Sequence, residues 1–295
     1  MMDANKLTKT AKKPNLNDIQ QMLTSFEDDI LPYLPSKDII LQRAKQRQLK
    51  KKLLRVSLLT MSGIFLGVYI YNPIHQQDYF MTQRGEQRNV YLNDGSQIKL
   101  NTDTHIYVQE RLRSRKIILS KGEASFHVAH KRSKFLRYFE RSFEVTSGNM
   151  LIIDIGTVFN VHKHSSDESS VTVLDGEIAV GLKDMKNPMI HLMKGQSLNS
   201  YKQYLSQPIQ VNLDIIQAWQ TGNIIFEQTS LNSALKNFQR YNDFNVKIEN
   251  SELKNLKMNG QFKIKNYQHF MQVLPYVSAI NVKKISEKEW EISKK

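Results

Sequence analysis

The 295-residue chain has no cysteine. Disulfides, thiol nucleophiles and cysteine-built zinc sites are therefore excluded, and the redox compartment is left open. It also lacks G-x-G-x-x-G, the P-loop, G-x-S-x-G and H-E-x-x-H, so no nucleotide, cofactor or metalloprotease chemistry is indicated. No nucleophile stands with a base and an orienting group, so no catalytic residues, cofactor or metal are assigned and a turnover enzyme is not expected. Acidic residues are in deficit, 28 against 42 Lys and Arg, for a net charge of +14. Such a balance suits nucleic acid or an anionic membrane surface, and the location of the charge decides between them.

Long apolar runs are absent except for one. Residues 56–71, VSLLTMSGIFLGVYIY, carry no charge. As a helix they rise about 24 Å, and extending the run over residues 53–74 reaches the ~30 Å of a hydrocarbon core. Arg43, Lys45, Arg47, Lys50, Lys51, Lys52 and Arg55 crowd the N-terminal flank, whereas residues 72–83 hold no Lys or Arg. The positive-inside rule then places the N-terminus in the cytoplasm and everything beyond residue 74 outside. The basic cluster reads as a topology signal, with no direct nucleic-acid partner. Gly63 and Gly67 form a small-xxx-small pair that would let two helices approach, and a buried soluble helix is the competing reading of the run.

Before this span lies a cytoplasmic segment, 1–52. Residues 1–15 are polar and read as disordered. Leu16, Ile19, Leu23, Phe26 and Ile30 then step by three and four, one apolar stripe on a helix capped by Asn15 or Asn17 and ended by Pro32 and Pro35. A lone helix of this length is marginal in water, so the stripe calls for a partner protein or a membrane surface.

Beyond the span two domains are expected. Over 84–205, short β-runs are punctuated by Asp94-Gly95, Gly122-Glu123, Gly148, Gly176-Glu177 and Gly195-Gln196, the spacing of an all-β sandwich or roll. A polar linker, 206–218, precedes a domain at 219–295 read as β-α-β-β-α-β, a small α+β fold. Its first helix carries Leu231, Ala234, Leu235 and Phe238 on one face behind Ser230 as N-cap, and its second runs to Pro275. Trp219 and Trp290 read as its core anchors.

Two features invite chemistry. His162-x-His164 puts two rings on one face of a strand, with no evident third ligand; exposed histidines are the simpler reading, and His127 and His130 read as structural or exposed. The stretch DIGTVFNV, 154–161, reads as a strand broken at Gly156-Thr157. A bulge accounts for the glycine, and so does a bond at which the Thr hydroxyl attacks the preceding carbonyl. Alternation turns Thr157 away from His162, so no local base is evident.

Taken in order, RNVYLNDGSQIKLNT, LSKGEASFHVAH, FEVTSGNMLIIDIGTVFNV, VTVLDGEIAV, LMKGQSL and AWQTGNIIFEQTSLNSALKNFQRY resemble the blocks of the FecR family of transmembrane regulators of extracytoplasmic-function sigma factors. The last domain is similar to the short N-terminal domain of secretins and TonB-dependent transducers. The resemblance implies a single-pass protein of the bacterial inner membrane with periplasmic C-terminal domains. It implies a cytoplasmic sigma factor as partner, held by Leu16, Ile19, Leu23, Phe26 and Ile30, and the signalling domain of a TonB-dependent receptor, of siderophore and iron type, outside. Strand addition on edges near Ile224 to Phe226 and Val246 to Ile248 is the expected mode of docking. It further implies membrane proteases, and self-cleavage at Gly156-Thr157 as in some members. Family members usually carry a longer cytoplasmic helical bundle with a tryptophan; residues 1–52 have no Trp. A docking or assembly protein with an inert cytoplasmic tail is the alternative, and a self-processing envelope hydrolase a third reading.

Overall fold

The computed structural model describes residues 15–30, 35–130, 140–183 and 189–295. The tract read as disordered, apart from Asn15, and Pro32 lie outside the described residues. The chain divides into two compact units, residues up to Gly67 and Val68–Lys295.

In the first unit, α1 (Leu16–Ile30) begins where the Asn15 side chain accepts the Leu16 N–H at 2.8 Å, one of the amides a helix start leaves unpaired. Leu16, Ile19, Leu23 and Phe26 are all exposed; the Ile30 side chain lies outside the described residues. Helix α2 runs unbroken over 35 residues, Lys37–Tyr71, with no buried side chain, and it is long and apolar enough to cross a membrane. The basic flank is therefore part of the same helix as the apolar run. The helix stops at Tyr71, short of the expected residue 74, because Asn72 adopts φ +50° and Pro73 offers no N–H.

The second unit opens with a strand that sequence patterning passes over. β1 (Ile74–Met81) is polar at His75, Gln76, Gln77 and Asp78, yet it pairs antiparallel with β4 (His105–Arg111) along its length. Between them lies the hairpin of β2 (Arg88–Tyr91) and β3 (Gln97–Leu100), turning at Asp94-Gly95. The 14-residue β5 (Ser114–His127) organises the domain. Its first half pairs with β4 and β6 (Ser142–Ser147), its second with β3 and β8 (Val158–Lys163). β7 (Met150–Asp154), β9 (Glu168–Asp175), β10 (Glu177–Leu182), β11 (Ile190–Met193), β12 (Gln196–Tyr201), β13 (Tyr204–Leu205) and β14 (Ile209–Gln210) complete it. The strands follow the order β11-β10-β7-β6-β5-β8-β9-β12-β13, one sheet doubled back through β5. Alternating residues of both halves, Ile106, Val108, Ile152 and Val180 with Ile98, Phe126, Phe159 and Val171, form one buried cluster. Phe126 and Phe159 stack at 5.0 Å with no exposed surface; emptying either site costs roughly 3–5 kcal/mol.

The expected linker is itself structured: β14 pairs with β12, and α3 (Leu213–Gln217) starts at an Asn212 cap. After a 3-10 turn at Ala218–Thr221 come β15 (Asn223–Ser230), α4 (Leu231–Gln239), β16 (Asn245–Ile248), β17 (Lys257–Lys263), α5 (Tyr267–Val277), β18 (Ile280–Lys284) and β19 (Glu289–Lys294). The order is β-α-β-β-α-β-β, one strand more than expected. The strands also split into a pair, β15-β17, and a triplet, β16-β19-β18, instead of forming one sheet. Ser230 caps α4 by accepting the Ser233 N–H, and α5 continues two residues past Pro275. Trp219, Trp290, Phe226, Phe238 and Phe270 share a second buried cluster.

Candidate functional site

Gly156 and Thr157 do not interrupt a strand. They lie in the three-residue step from β7 to β8, which passes from one half of the doubled sheet to the other, with a register shift next to it at Val158/Phe159. Gly156 has φ +131°, a conformation L side chains rarely adopt. Its carbonyl rests on Gly176, where a Cβ would stand 2.1 Å from the Gly156 oxygen, so glycine is required on both sides of the contact. Thr157 is 5% exposed, and its C=O accepts the Val128 N–H at 3.1 Å.

The Thr157 hydroxyl donates to Asp154 Oδ1 in a short contact. The other Asp154 oxygen, Oδ2, faces His130 Nε2 at 2.8 Å, within ion-pair reach but off the line of a good hydrogen bond. His130 Nδ1 lies 2.9 Å from Glu140. A hydroxyl, a buried carboxylate, an imidazole and a second carboxylate thus stand in series. The sequence offers no local base, since alternation turns His162 away from Thr157; the structure instead places a carboxylate, Asp154, three residues before Thr157 and His130 beside it. Beside them Arg115 pairs with Asp94, and its guanidinium is made less basic first by burial and then by Arg141, against the pull of Asp154 and Glu140.

A second polar cluster joins the β domain to the C-terminal domain. Glu123, at the bend of β5, accepts from Arg240 Nη2 at 2.6 Å, Asn101 Nδ2 at 2.8 Å and Asn160 Nδ2 at 2.9 Å. Asn101 also donates to the Tyr241 hydroxyl at 2.7 Å, and Thr102 Oγ1 to the Arg240 carbonyl at 2.9 Å. Burial alone would raise the Glu123 pKa, but Arg240, His162 and the hydrogen bonds outweigh it and hold the carboxyl at about 2. Burial, and then Glu123, push the Tyr241 phenol up to about 12. Gln87 donates to the Trp219 carbonyl at 3.0 Å across the same boundary. A cavity of about 860 Å³ opens beside this contact, lined among others by His162, His164, Lys121, Lys236 and Arg240.

His162 and His164 do share a face, with ring centroids 4.0 Å apart. Burial, opposed by Glu123 and aided by Arg240 and His164, lowers the His162 pKa to about 3. Among the described residues no group of three His, Asp or Glu is placed to hold a metal ion. His127 is half-buried, with its Nε2 unpartnered.

The remaining sequence-derived residues fall on two surfaces. The α1 stripe is exposed. In the C-terminal domain, Ile224 and Phe226 are in the core, whereas Val246 and Ile248 are half-buried on β16, one of the two outer strands of the triplet. At the start of the second unit, the Arg113 guanidinium covers the Tyr69 ring at 4.2 Å. Asn72 accepts the Arg113 N–H at 2.7 Å and donates to Ser114 at 3.0 Å, fixing the end of α2 to the β4-β5 turn.

No curated protein matches this chain. Among solved structures, it is similar to two crystal structures, at 2.50 and 1.65 Å resolution, of a candidate anti-sigma factor from Parabacteroides distasonis ATCC 8503. Identity is 19% and the TM-score 0.60 for both; the match covers 75% and 74% of this chain and 100% and 99% of the other. At that identity the likeness establishes a shared fold. The model described as FecR protein matches residues 78–179 and that described as FecR, C-terminal, matches residues 223–292, more than half the chain together and in the order of the two domains along it. The chain belongs to the FecR family.

Proposed function

We propose that the protein carries a signal across the bacterial inner membrane to an extracytoplasmic-function sigma factor. The observation that carries this reading is the match of both FecR models, in order, behind a helix long and apolar enough to cross a membrane. The fold shared with a candidate anti-sigma factor supports it.

In this reading the N-terminus is cytoplasmic, as the basic residues at the head of α2 favour. The sigma factor is held by Leu16, Ile19, Leu23 and Phe26, an exposed apolar stripe of the kind a groove accepts as anchors at helical spacing. The C-terminal domain receives the periplasmic signalling domain of a TonB-dependent receptor, of siderophore and iron-responsive type. β16, which carries Val246 and Ile248, is the acceptor in this reading: it is an end strand of the β16-β19-β18 triplet, and its outer edge has no strand partner among the described residues. Proteolysis at the membrane then frees the cytoplasmic piece. Self-cleavage at Gly156-Thr157 prepares the chain for that release. No turnover of an external substrate is assigned.

The test is co-purification of the full chain, in detergent, with the sigma factor encoded nearest to it. Retention that disappears in the Leu23→Asp, Phe26→Asp double variant supports the reading. Equal retention by both, or by neither, removes the sigma contact from α1.

A further inference from the structure

The connection between β7 and β8 combines four features that a bulge alone does not need. Gly156 holds φ +131°, its carbonyl is wedged against Gly176, Thr157 turns its hydroxyl onto a carboxylate, and that carboxylate is backed by an imidazole. Asp154 is buried to 1% at its side chain, so water does not compete for its oxygens. The Val128 N–H fixes the Thr157 carbonyl, and β5 pairs His127 with Val158, which ties the segment bearing His130 to the one bearing Thr157.

We propose that Asp154 is the proton acceptor that activates Thr157 for attack on the Gly156 carbonyl, with His130 as its positioning residue. The inference rests on the self-cleavage reading above. In the first step the Thr157 Oγ–H proton passes to Asp154 as Oγ bonds to the Gly156 carbonyl carbon. The Gly156–Thr157 C–N bond then breaks, and the proton moves from Asp154 to the departing Thr157 nitrogen. The product is an ester between the Gly156 carbonyl and the Thr157 oxygen, with a free α-amine. Water then attacks the ester carbonyl, leaving a Gly156 carboxylate and restoring the Thr157 hydroxyl. The sum is one water added across one peptide bond.

The direct contact makes Asp154 a catalytic residue. Among the described residues the polar contacts of His130 are to Asp154 and Glu140, so it acts through the carboxylate by holding Oδ1 toward Thr157. Positioned acid-base groups of this kind contribute typically ~100-fold or more.

The experiment uses the full chain purified in detergent micelles. The rate at which a fragment beginning at Thr157 appears is read by mass, and folding is followed in parallel by near-ultraviolet circular dichroism. Wild type and Thr157→Ser should be cut, and Thr157→Ala should not. Asp154→Asn should slow cleavage by ~100-fold with its dichroism unchanged. His130→Phe, which fills the site without a polar atom, should be slower by roughly tenfold, and His130→Gln, whose amide nitrogen can stand where Nε2 faces Oδ2, should return most of the rate. Cleavage of a folded Asp154→Asn chain at the wild-type rate overturns the proposal and leaves self-cleavage standing. An uncut wild-type chain overturns both. Should Asp154→Asn unfold, equal rates for His130→Phe and His130→Gln overturn the relay.

Discussion

Glu123 in the β domain and Arg240 at the end of α4 meet at 2.6 Å, a largely buried ion pair joining two segments 117 residues apart. Asn101 and Asn160 donate to the same carboxylate, so with Arg240 three hydrogen bonds offset the desolvation of Glu123. Removing one partner strands the other. Arg240→Met is expected to destabilise the second unit by roughly 3–5 kcal/mol, and the Glu123→Leu, Arg240→Met double variant by clearly less. Chemical denaturation of the three variants in detergent checks this.

Acid should loosen the same contact in two stages. The His162 pKa is depressed to about 3, so the folded state loses stability as pH falls from ~6.5 toward 3, the range in which only the unfolded chain takes up that proton. The Glu123 pKa is depressed from 4.5 to about 2, so its contribution is complete above 4.5 and is lost as pH falls toward 2, an effect of about 3 kcal/mol. His162→Phe should remove the first stage and leave the second, made shallower because His162 is one of the groups that depress Glu123, as read from denaturation midpoints between pH 7 and 3.

Gly176→Ala should damage the β7-β8 step. Its Cβ would meet the Gly156 oxygen at 2.1 Å, and that oxygen is a backbone atom and not the far end of a flexible side chain, so it does not yield cheaply. A loss of ~1–3 kcal/mol is expected, with slower cleavage at Gly156-Thr157. Thermal unfolding and the cleavage assay report the two effects.

Cutting at Gly156-Thr157 should not separate the pieces. β7 remains paired with β6 and β10, and β8 with β5 and β9, on opposite sides of the cut. The fragments should elute together in detergent and separate only in denaturant. Early separation would mean that this step, and not the sheet, holds the domain.

Because the chain has no cysteine, single introduced cysteines map its topology directly. Tyr91→Cys, at an exposed position in the β domain, should react with a membrane-impermeant maleimide in spheroplasts, and Lys45→Cys only after lysis. The reverse pattern would invert the protein in the membrane.

What the sequence determines here follows from local rules. An uncharged run flanked on one side by seven basic residues makes α2 legible, glycine turns mark the hairpins, and Leu231, Ala234, Leu235 and Phe238 mark the buried face of α4. β1 stayed hidden because its polar face has no alternation to read; its partner β4 supplies the pairing. The split of the last domain into two sheets was hidden too, since it depends on which distant strand each edge finds. Asp154 lay within the quoted stretch, but its role depends on a turn between two strands that reads as one strand in the sequence. His130 reaches it only because β5 bends to serve both halves of the sheet, and Arg240 reaches Glu123 only through the packing of one domain on the other. Periodicity and charge act over a few residues and can be read along the chain. Pairing between distant strands and the satisfaction of buried charges are decided by the closed structure, because burial is what makes an unpaired partner costly.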